Sequence, residues 1–454
     1  MVTQLVLDCT YRVQTLHQPG HLARVVSAIA QGEGLIGDVT TVSVGREHSI
    51  REITIEARDT KQTEQIAGLL DALEDVHVLR YEDRALMRHE GGELTIEAVR
   101  PVHTVQEMRD IYTPGVARVC LAIAENPALA GRFTMISRCV AICTNGTRVL
   151  GLGNIGPVAS MPVMEGKAVF YQQFAGISAM PILIDAADID SFVETVVRIA
   201  PTFGGIHLED ISAPECFEIE RRLIEALPQP VMHDDVHGTA VIALAAATVA
   251  CRQAGIELRA AVVGQLGLGA AGLGIASLMV DGGVKRVIAF DPQEASHERA
   301  RAKGIGLGSM DDVMGEADVV IATTGRPGLI KPSMIRQGQV ILALTNPYPE
   351  ISPEDAQRAG AAFAGDGRSV NNVLGYPGIF RGALMAGASE INVEMKLAAA
   401  KALADRASDG ELVPDVLDQN VHDAVAEAVR DAAQRSGVAR PELASAGLQS
   451  GSTR

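Results

Sequence analysis

The stretch Gly267-Leu268-Gly269-Ala270-Ala271-Gly272 constrains this 454-residue chain more than any other. It is a GxGxxG element, and its flanks give it meaning. The apolar run 260–263 before it reads as a buried parallel strand. The apolar stretch after it, to Val280, reads as a helix, and 287–290 as the next strand, closed by Asp291. Strand, glycine loop, helix, strand and acid in this order make a dinucleotide-binding unit. Gly267 makes the turn, Gly269 lets a pyrophosphate approach the backbone, and Gly272 packs helix on strand. Ala270 and Ala271 open a helix whose amides face the anion. Asp291 is placed to accept a ribose 2′-hydroxyl and to repel a 2′-phosphate. NAD is therefore expected over NADP, with His297, Arg299 and Arg301 near enough to soften the preference. A later strand, 317–323, ends at Thr324-Gly325, a turn expected to border the cofactor.

Composition narrows the remaining classes. With 47% apolar and 21% charged residues the chain is globular, and its length predicts about three domains. A net charge of −17 argues against nucleic acid and against anionic membrane surfaces, which need a basic face. The apolar run 240–251 is short of the ~20 residues of a membrane helix. Residues 1–7 carry no basic run ahead of an apolar core, so no secretory signal is expected. Six cysteines without a CxxC pair predict reduced thiols and a cytoplasmic protein, and Cys139 and Cys143 are expected in the core.

The overall expectation is an α/β protein in four parts. Residues 1–88 read as a ferredoxin-like βαββαβ unit. Tyr11, Val13 and Thr15 alternate as a strand; Leu22, Val25, Val26 and Ile29 mark one apolar helix face. Strands follow at 39–44 and 50–57, then a helix carrying Ile66, Leu69, Leu70 and Leu73, and a strand at 76–81. The Gln18-Pro19-Gly20-His21-Leu22 turn and Gly34-Leu35-Ile36-Gly37-Asp38 make this unit resemble an ACT domain, a small regulatory module that often binds amino acids. The resemblance implies a small effector; the alternative is an oligomerisation module without a ligand. Residues 89–236 read as mixed α/β, 237–395 as the Rossmann-type unit, and 396–454 as C-terminal helices with a frayed tail from 436.

Two acidic pairs stand in apolar settings: Leu208-Glu209-Asp210-Ile211 and His233-Asp234-Asp235. Buried carboxylates are costly unless paired or metal-bound. Converging oxygens suit Mg²⁺ or Mn²⁺ rather than zinc; the alternative is that each pair caps a helix or forms salt bridges. His233 and His237 lack a third nitrogen or sulfur ligand nearby, which argues against zinc.

Taken in order, these pieces resemble the malic enzymes. Ile111-Tyr112-Thr113-Pro114-Gly115 looks like their tyrosine motif, and Gly151-Leu152-Gly153-Asn154-Ile155-Gly156 like their GLG turn. Pro162-Val163-Met164-Glu165-Gly166-Lys167 looks like their lysine motif. The two acidic pairs match the metal motifs, and Thr345-Asn346-Pro347 and Val370-Asn371-Asn372-Val373 the substrate asparagines. The resemblance covers about 90–400 and is to the shorter bacterial type, without the acyltransferase-like extension. Two departures stand out. The segment before Val370 is shorter than in some relatives. Arg148 precedes the GLG turn as in the eukaryotic type, where a guanidinium fork suits a substrate carboxylate.

The resemblance implies oxidative decarboxylation of (S)-malate to pyruvate and CO₂ with NAD(P)⁺ as acceptor. Lys167 would be the general base, oriented by Asp234, and Tyr112 the general acid. Glu209, Asp210 and Asp235 would hold Mg²⁺ or Mn²⁺. Arg148, Asn346, Asn371 and Asn372 would bind substrate, with Asn346 also at the nicotinamide end. A homodimer or higher homo-oligomer is expected. The alternatives are an NAD-dependent dehydrogenase of another 2-hydroxy acid that stops before decarboxylation, and a non-catalytic nucleotide sensor.

Overall fold

The computed structural model describes residues 7–445, except 187, 369 and 409, together with residue 448. The chain divides into two compact units, Met1–Leu94 and Thr95–Arg454.

In the first unit, strands β1 (Leu7–Leu16), β2 (Leu35–Val44), β3 (His48–Ala57) and β4 (Val76–Asp83) form one sheet in the order β2-β3-β1-β4. Every neighbouring pair is antiparallel. With helices His21–Gln31 and Thr60–Asp71, this is the ferredoxin-like βαββαβ order. The alternation in β1 puts Cys9, Tyr11, Val13 and Thr15 inside, and the Tyr11 hydroxyl donates to the Thr63 carbonyl at 2.7 Å. The first helix differs from expectation. Val25, Ala28 and Ile29 face the core, whereas Leu22 and Val26 are exposed. Spacing of three and four residues selects one face, and Leu22 and Val26 lie at and beyond its edge. Strand β2 begins at Leu35, earlier than the sequence predicts, and its outward apolar side chains Leu35, Val39 and Val44 are exposed.

The second unit holds two parallel sheets. Strands β5 (Cys139–Thr144), β6 (Ser178–Leu183), β7 (Gly205–Leu208) and β8 (Val231–His233) pair in the order β6-β5-β7-β8. Cys139 and Cys143 are buried in β5, as the sequence predicts. Strands β9 (Val262–Leu266), β10 (Arg286–Phe290), β11 (Gly306–Leu307), β12 (Val319–Ala322), β13 (Val340–Ala343) and β14 (Phe363–Asp366) pair in the order β11-β10-β9-β12-β13-β14. That is the doubly wound Rossmann order. Strand β9 lies two residues later than expected because Ala260 and Ala261 belong to a turn closed on the Glu257 carbonyl.

Helix Thr239–Ala254 is apolar on all sides because it is buried along nearly its whole length. With the preceding turn it has the length and hydropathy of a membrane span, but most of it is inside the protein. Helix Val393–Ala404 runs through the boundary expected at 395 and packs with helices Tyr376–Ala386 and Gln419–Arg435. The segment after Ser436 is not frayed as far as it is described: Arg440 donates to the Pro228 and Ala388 carbonyls, and Ser445 is buried. The rest of the expected tail, 446–447 and 449–454, lies outside the described residues.

Candidate active site

Parallel sheets place their binding crevices beyond the carboxyl ends of the strands. Here both sheets of the second unit do so. Glu209 and Asp210 follow β7, and Asp234 and Asp235 follow β8 in the turn Asp234–Gly238. Lys167 comes from helix Met161–Phe170. Its ammonium donates to Asp234 Oδ2 at 2.6 Å, lies 3.1 Å from Glu209 Oε2, and sits 4.5 Å from the centre of the Tyr376 ring. Burial opposes the charge on Lys167, yet the Asp234 and Glu209 carboxylates outweigh it and hold its pKa well above the ordinary lysine value.

A chain of hydrogen bonds fixes this pair. The Asn372 side-chain amide donates to Asp234 Oδ2 at 2.7 Å. On the other side Glu209 Oε2 is 2.8 Å from His207 Nε2, and His207 Nδ1 is 2.8 Å from the Tyr171 hydroxyl. Burial, with the Lys167 charge, lowers the His207 pKa well below its usual value, so the ring is neutral. With Glu209 ionised, Nε2 must carry the proton and Nδ1 must accept from Tyr171. Gly238 is required by this packing, because a Cβ there would collide with the Asp234 carboxylate.

Glu209, Asp210 and Asp235 bring carboxylate oxygens within 4.8 Å of one another. Asp235 Oδ2 accepts from the Asp210 amide at 2.9 Å, and Asp210 Oδ2 is buried without a partner. Asp210 also holds a left-handed backbone, φ 53°, that L residues seldom adopt. Burial, then the Asp235 charge, pushes the Asp210 carboxyl up to about 7, and burial likewise raises Glu209. Four carboxylates face one ammonium here. An orphaned buried oxygen and mutually repelling carboxylates are what an oxygen-ligated divalent cation would satisfy. His237 is held apart from them, with both nitrogens engaged, by Glu220 at 2.9 Å and Lys396 at 3.1 Å, whereas His233 Nδ1 lies 3.7 Å from Asp235 Oδ2 with both ring nitrogens buried and without a hydrogen-bond partner.

The glycine loop follows β9 as expected. A Cβ on Gly272 would strike the Gly267 carbonyl, Gly267 has φ +89°, and the space before Gly269 is open. Asp291 stands at the end of β10 with Oδ2 accepting from the Leu268 amide at 2.7 Å, so it braces the loop as well as facing the crevice. Of the nearby cations, His297 bonds the Asp291 carbonyl at 2.8 Å, and Arg299 lies over the Phe217 ring. Gly274, in the same helix, packs against the Val236 carbonyl, so the helix bearing the glycine loop touches the turn bearing Asp234 and Asp235.

Four sequence-predicted residues make no side-chain bond to the Lys167 cluster among the described residues. Asn371 spends its carboxamide oxygen capping the Val373 amide at 3.0 Å, and Asn346 donates to the Gly367 carbonyl at 3.0 Å. Local loop capping competes for the short Asn371 side chain. Tyr112 is 73% exposed and makes no side-chain bond to the Lys167 cluster. Arg148 is exposed, while its backbone amide donates to the Asp210 carbonyl at 3.1 Å.

Sequence reasoning missed His207, Tyr171, Tyr376 and Glu350. A histidine inside the apolar strand β7 was the available signal for the first. Glu350 had none. It is fully buried, and its Oε1 accepts from the Thr324 amide and hydroxyl, both at 2.7 Å, and from the Thr345 hydroxyl at 2.6 Å. It thereby ties together the turns after β12 and β13 that line the crevice.

Fold and site together define a dinucleotide-binding oxidoreductase architecture. Residues 92–224 match the malic enzyme N-terminal domain, and 257–337 match the NADPH-binding domain of acetohydroxy acid isomeroreductase. The chain is 51% identical to NAD-dependent malic enzyme 1 of Bacillus subtilis, over 93% of this chain and 97% of that protein. It is 41% identical to the NAD-dependent malic enzyme of Geobacillus stearothermophilus, over 96% of each. The crystal structure of malic enzyme from Pyrococcus horikoshii matches with a TM-score of 0.76 and 36% identity, covering 80% of this chain and 93% of that one. The chain belongs to the malic enzyme family.

Two outcomes follow from the geometry. Between the ordinary aspartate value of 3.8 and about 7, the unfolded chain has lost a proton that folded Asp210 keeps, so metal-free protein loses stability as pH rises through that window. Asp210→Asn should flatten this slope in chelator-treated melts at pH 5 and pH 8; an unchanged slope would contradict the assignment. Glu350→Gln leaves one neutral oxygen for the three donors now on Oε1 and turns an NH₂ donor toward the Thr345 amide now on Oε2, and should cost about 1–3 kcal/mol in urea unfolding. Wild-type stability in that variant would show that Glu350 does not hold the two turns.

Proposed function

We propose that this chain is a malic enzyme in activity as in family: an NAD-preferring, Mg²⁺- or Mn²⁺-dependent oxidative decarboxylase of (S)-malate, yielding pyruvate and CO₂. The observation that carries the reading is the Lys167–Asp234–Asn372 chain set against Glu209, Asp210 and Asp235 at the mouth of the Rossmann crevice. A plain 2-hydroxy acid dehydrogenase needs no carboxylate triad beside its base.

Lys167 is the general base for the C2 hydroxyl, as hydride leaves C2 for the nicotinamide. Asp234 and Asn372 hold its Nζ in place. With Glu209 committed as a ligand, its hold on the Lys167 proton weakens, which brings the lysine within reach of neutral form. Glu209, Asp210 and Asp235 would hold the divalent cation, which supplies Lewis-acid polarisation of the C2 oxygen during decarboxylation. Arg148, beside Asp210, pairs with a substrate carboxylate. Tyr112 returns a proton to C3 of the enol product. The negative charge of Asp291 disfavours a 2′-phosphate and supports NAD.

The first unit is read as an ACT-like regulatory module, supported by its βαββαβ topology. An exposed free thiol at Cys120 fits a reducing cytoplasm.

Initial rates with (S)-malate and Mn²⁺ should show NADH and pyruvate appearing in equal amounts, with NADP⁺ the poorer acceptor. Activity should vanish with chelator. Lys167→Ala and Tyr112→Phe should each lower kcat by roughly 10²–10⁴. NADH without pyruvate would replace this reading with the plain dehydrogenase. The regulatory role predicts that at least one free amino acid shifts the malate KM or kcat of the full chain; twenty amino acids without effect would remove it.

A further inference from the structure

The carboxylates after β7 and β8 are braced differently. Glu209 has His207 behind it, and His207 has Tyr171. Asp235 has one hydrogen bond among the described residues, from the Asp210 amide at 2.9 Å. His233 Nδ1, at 3.7 Å from Asp235 Oδ2, is too far to donate. Where Asp235 points therefore depends on how the turn Asp234–Gly238 is held.

Helix Glu215–Ala226 supplies the hold. Its buried residues are Cys216, Ile219, Glu220 and Leu223. That spacing is one core stripe, and a carboxylate in such a stripe is costly unless its oxygens are bonded. Both are bonded here. Oε1 accepts from the His233 backbone amide at 2.7 Å, and Oε2 is 2.9 Å from His237 Nε2. One carboxylate thus grips the residue before Asp234 and the residue before Gly238, the two ends of the turn.

Lys396 fixes the direction of these bonds. It comes from helix Val393–Ala404, and its Nζ lies 3.1 Å from His237 Nδ1. An ammonium only donates, so Nδ1 accepts and the ring proton sits on Nε2, facing Glu220. Lys396 to His237 to Glu220 is one directed chain, with the turn gripped in its middle. Among the described residues neither Glu220 nor Lys396 bonds to Lys167 or to the four carboxylates after β7 and β8.

We infer that Glu220 is the positioning residue for Asp234 and Asp235, acting through the His233 amide and through a His237 ring whose tautomer Lys396 dictates. It thereby sets the cation affinity of the site from outside the set of ligand candidates. The inference rests on the proposed cation for that readout, but not for the hold on the turn.

The directed chain has a consequence that loss of bulk or charge does not. Glu220→Gln keeps an oxygen for the His233 amide but turns an NH₂ toward the Nε2 proton. Moving that proton to Nδ1 only transfers the conflict to Lys396. Lys396→Gln alone still offers Nδ1 a donor. In the double variant Glu220→Gln/Lys396→Gln the ring adopts its other tautomer, with Nε2 accepting from the amide at 220 and Nδ1 donating to the amide oxygen at 396.

The test measures Mn²⁺ binding to chelator-treated protein, by electron paramagnetic resonance of the free ion, and NADH binding by the fluorescence of the dinucleotide. Glu220→Gln should weaken Mn²⁺ binding about 10–100-fold, as loss of an outer partner of a metal ligand does, and leave NADH binding unchanged. Lys396→Gln should lose less, and the double variant should recover most of what Glu220→Gln lost. Unchanged Mn²⁺ affinity in Glu220→Gln would overturn the inference. So would an equal loss of NADH binding, which marks general loosening, or a double variant no better than Glu220→Gln. Wild-type protein that binds no Mn²⁺ would sink the proposed function, and amide exchange would then decide the hold. Glu220→Gln should lose protection in the peptide 231–238 but not in 262–272; unchanged protection at 231–238 would reject the inference.

Discussion

A buried ammonium organises the second unit. Lys167 lies inside the protein, where a lone charge is costly, and only carboxylates at hydrogen-bond distance make its position tenable. Asp234 and Glu209 meet that demand from the ends of two adjacent parallel strands, β8 and β7. Helix Met161–Phe170 is thereby registered on the sheet by charge as well as by packing. The remaining polar bonds act outward from this pair. His207 and Tyr171 secure Glu209 from within the core, and Asn372 secures Asp234 from the segment after β14.

The same pair joins the two sheets functionally. Asn372 follows the last strand of the Rossmann sheet, yet its amide ends on the aspartate that orients the lysine. Gly274 lets the glycine-loop helix settle against the turn that carries Asp234 and Asp235. Glu350 ties the turns after β12 and β13 on the dinucleotide side. The glycine-loop helix, Lys167 and the carboxylates after β7 and β8 are therefore held against one another by packing and hydrogen bonds. Coupling of this kind suits a reaction in which proton loss, hydride loss and decarboxylation occur at one small substrate.

Much of this was legible before the structure, and the reason is local. The glycine loop, its flanking strands and Asp291 are close in sequence, and each residue type answers a backbone or charge demand of its own turn. The acidic pairs were legible for the same reason, since carboxylates in apolar strands call for a partner. Residues whose partners are distant were not. Glu350 sits in a loop without periodicity, and only folding brings Thr324 and Thr345 to it. Leu22 and Val26 looked like core because their spacing is helical, but which part of an apolar arc turns inward depends on the sheet it meets. Asn371 carries an amide that its own loop uses first, and Asn346 donates to the Gly367 carbonyl after β14, a partner that only folding brings near.

The sequence by itself determined the elements, their order, the dinucleotide unit and the types of residue available for acid, base and ligand work. These follow from periodicity, turn chemistry and the cost of burying charge, all short-range in the chain. Tertiary structure alone decided which carboxylates hold the lysine and which carboxylate oxygens converge. It also decided that Tyr112 faces outward from the chain that carries it. Distances between side chains from different strands are set by how sheets and helices pack, and no spacing along a sequence encodes them.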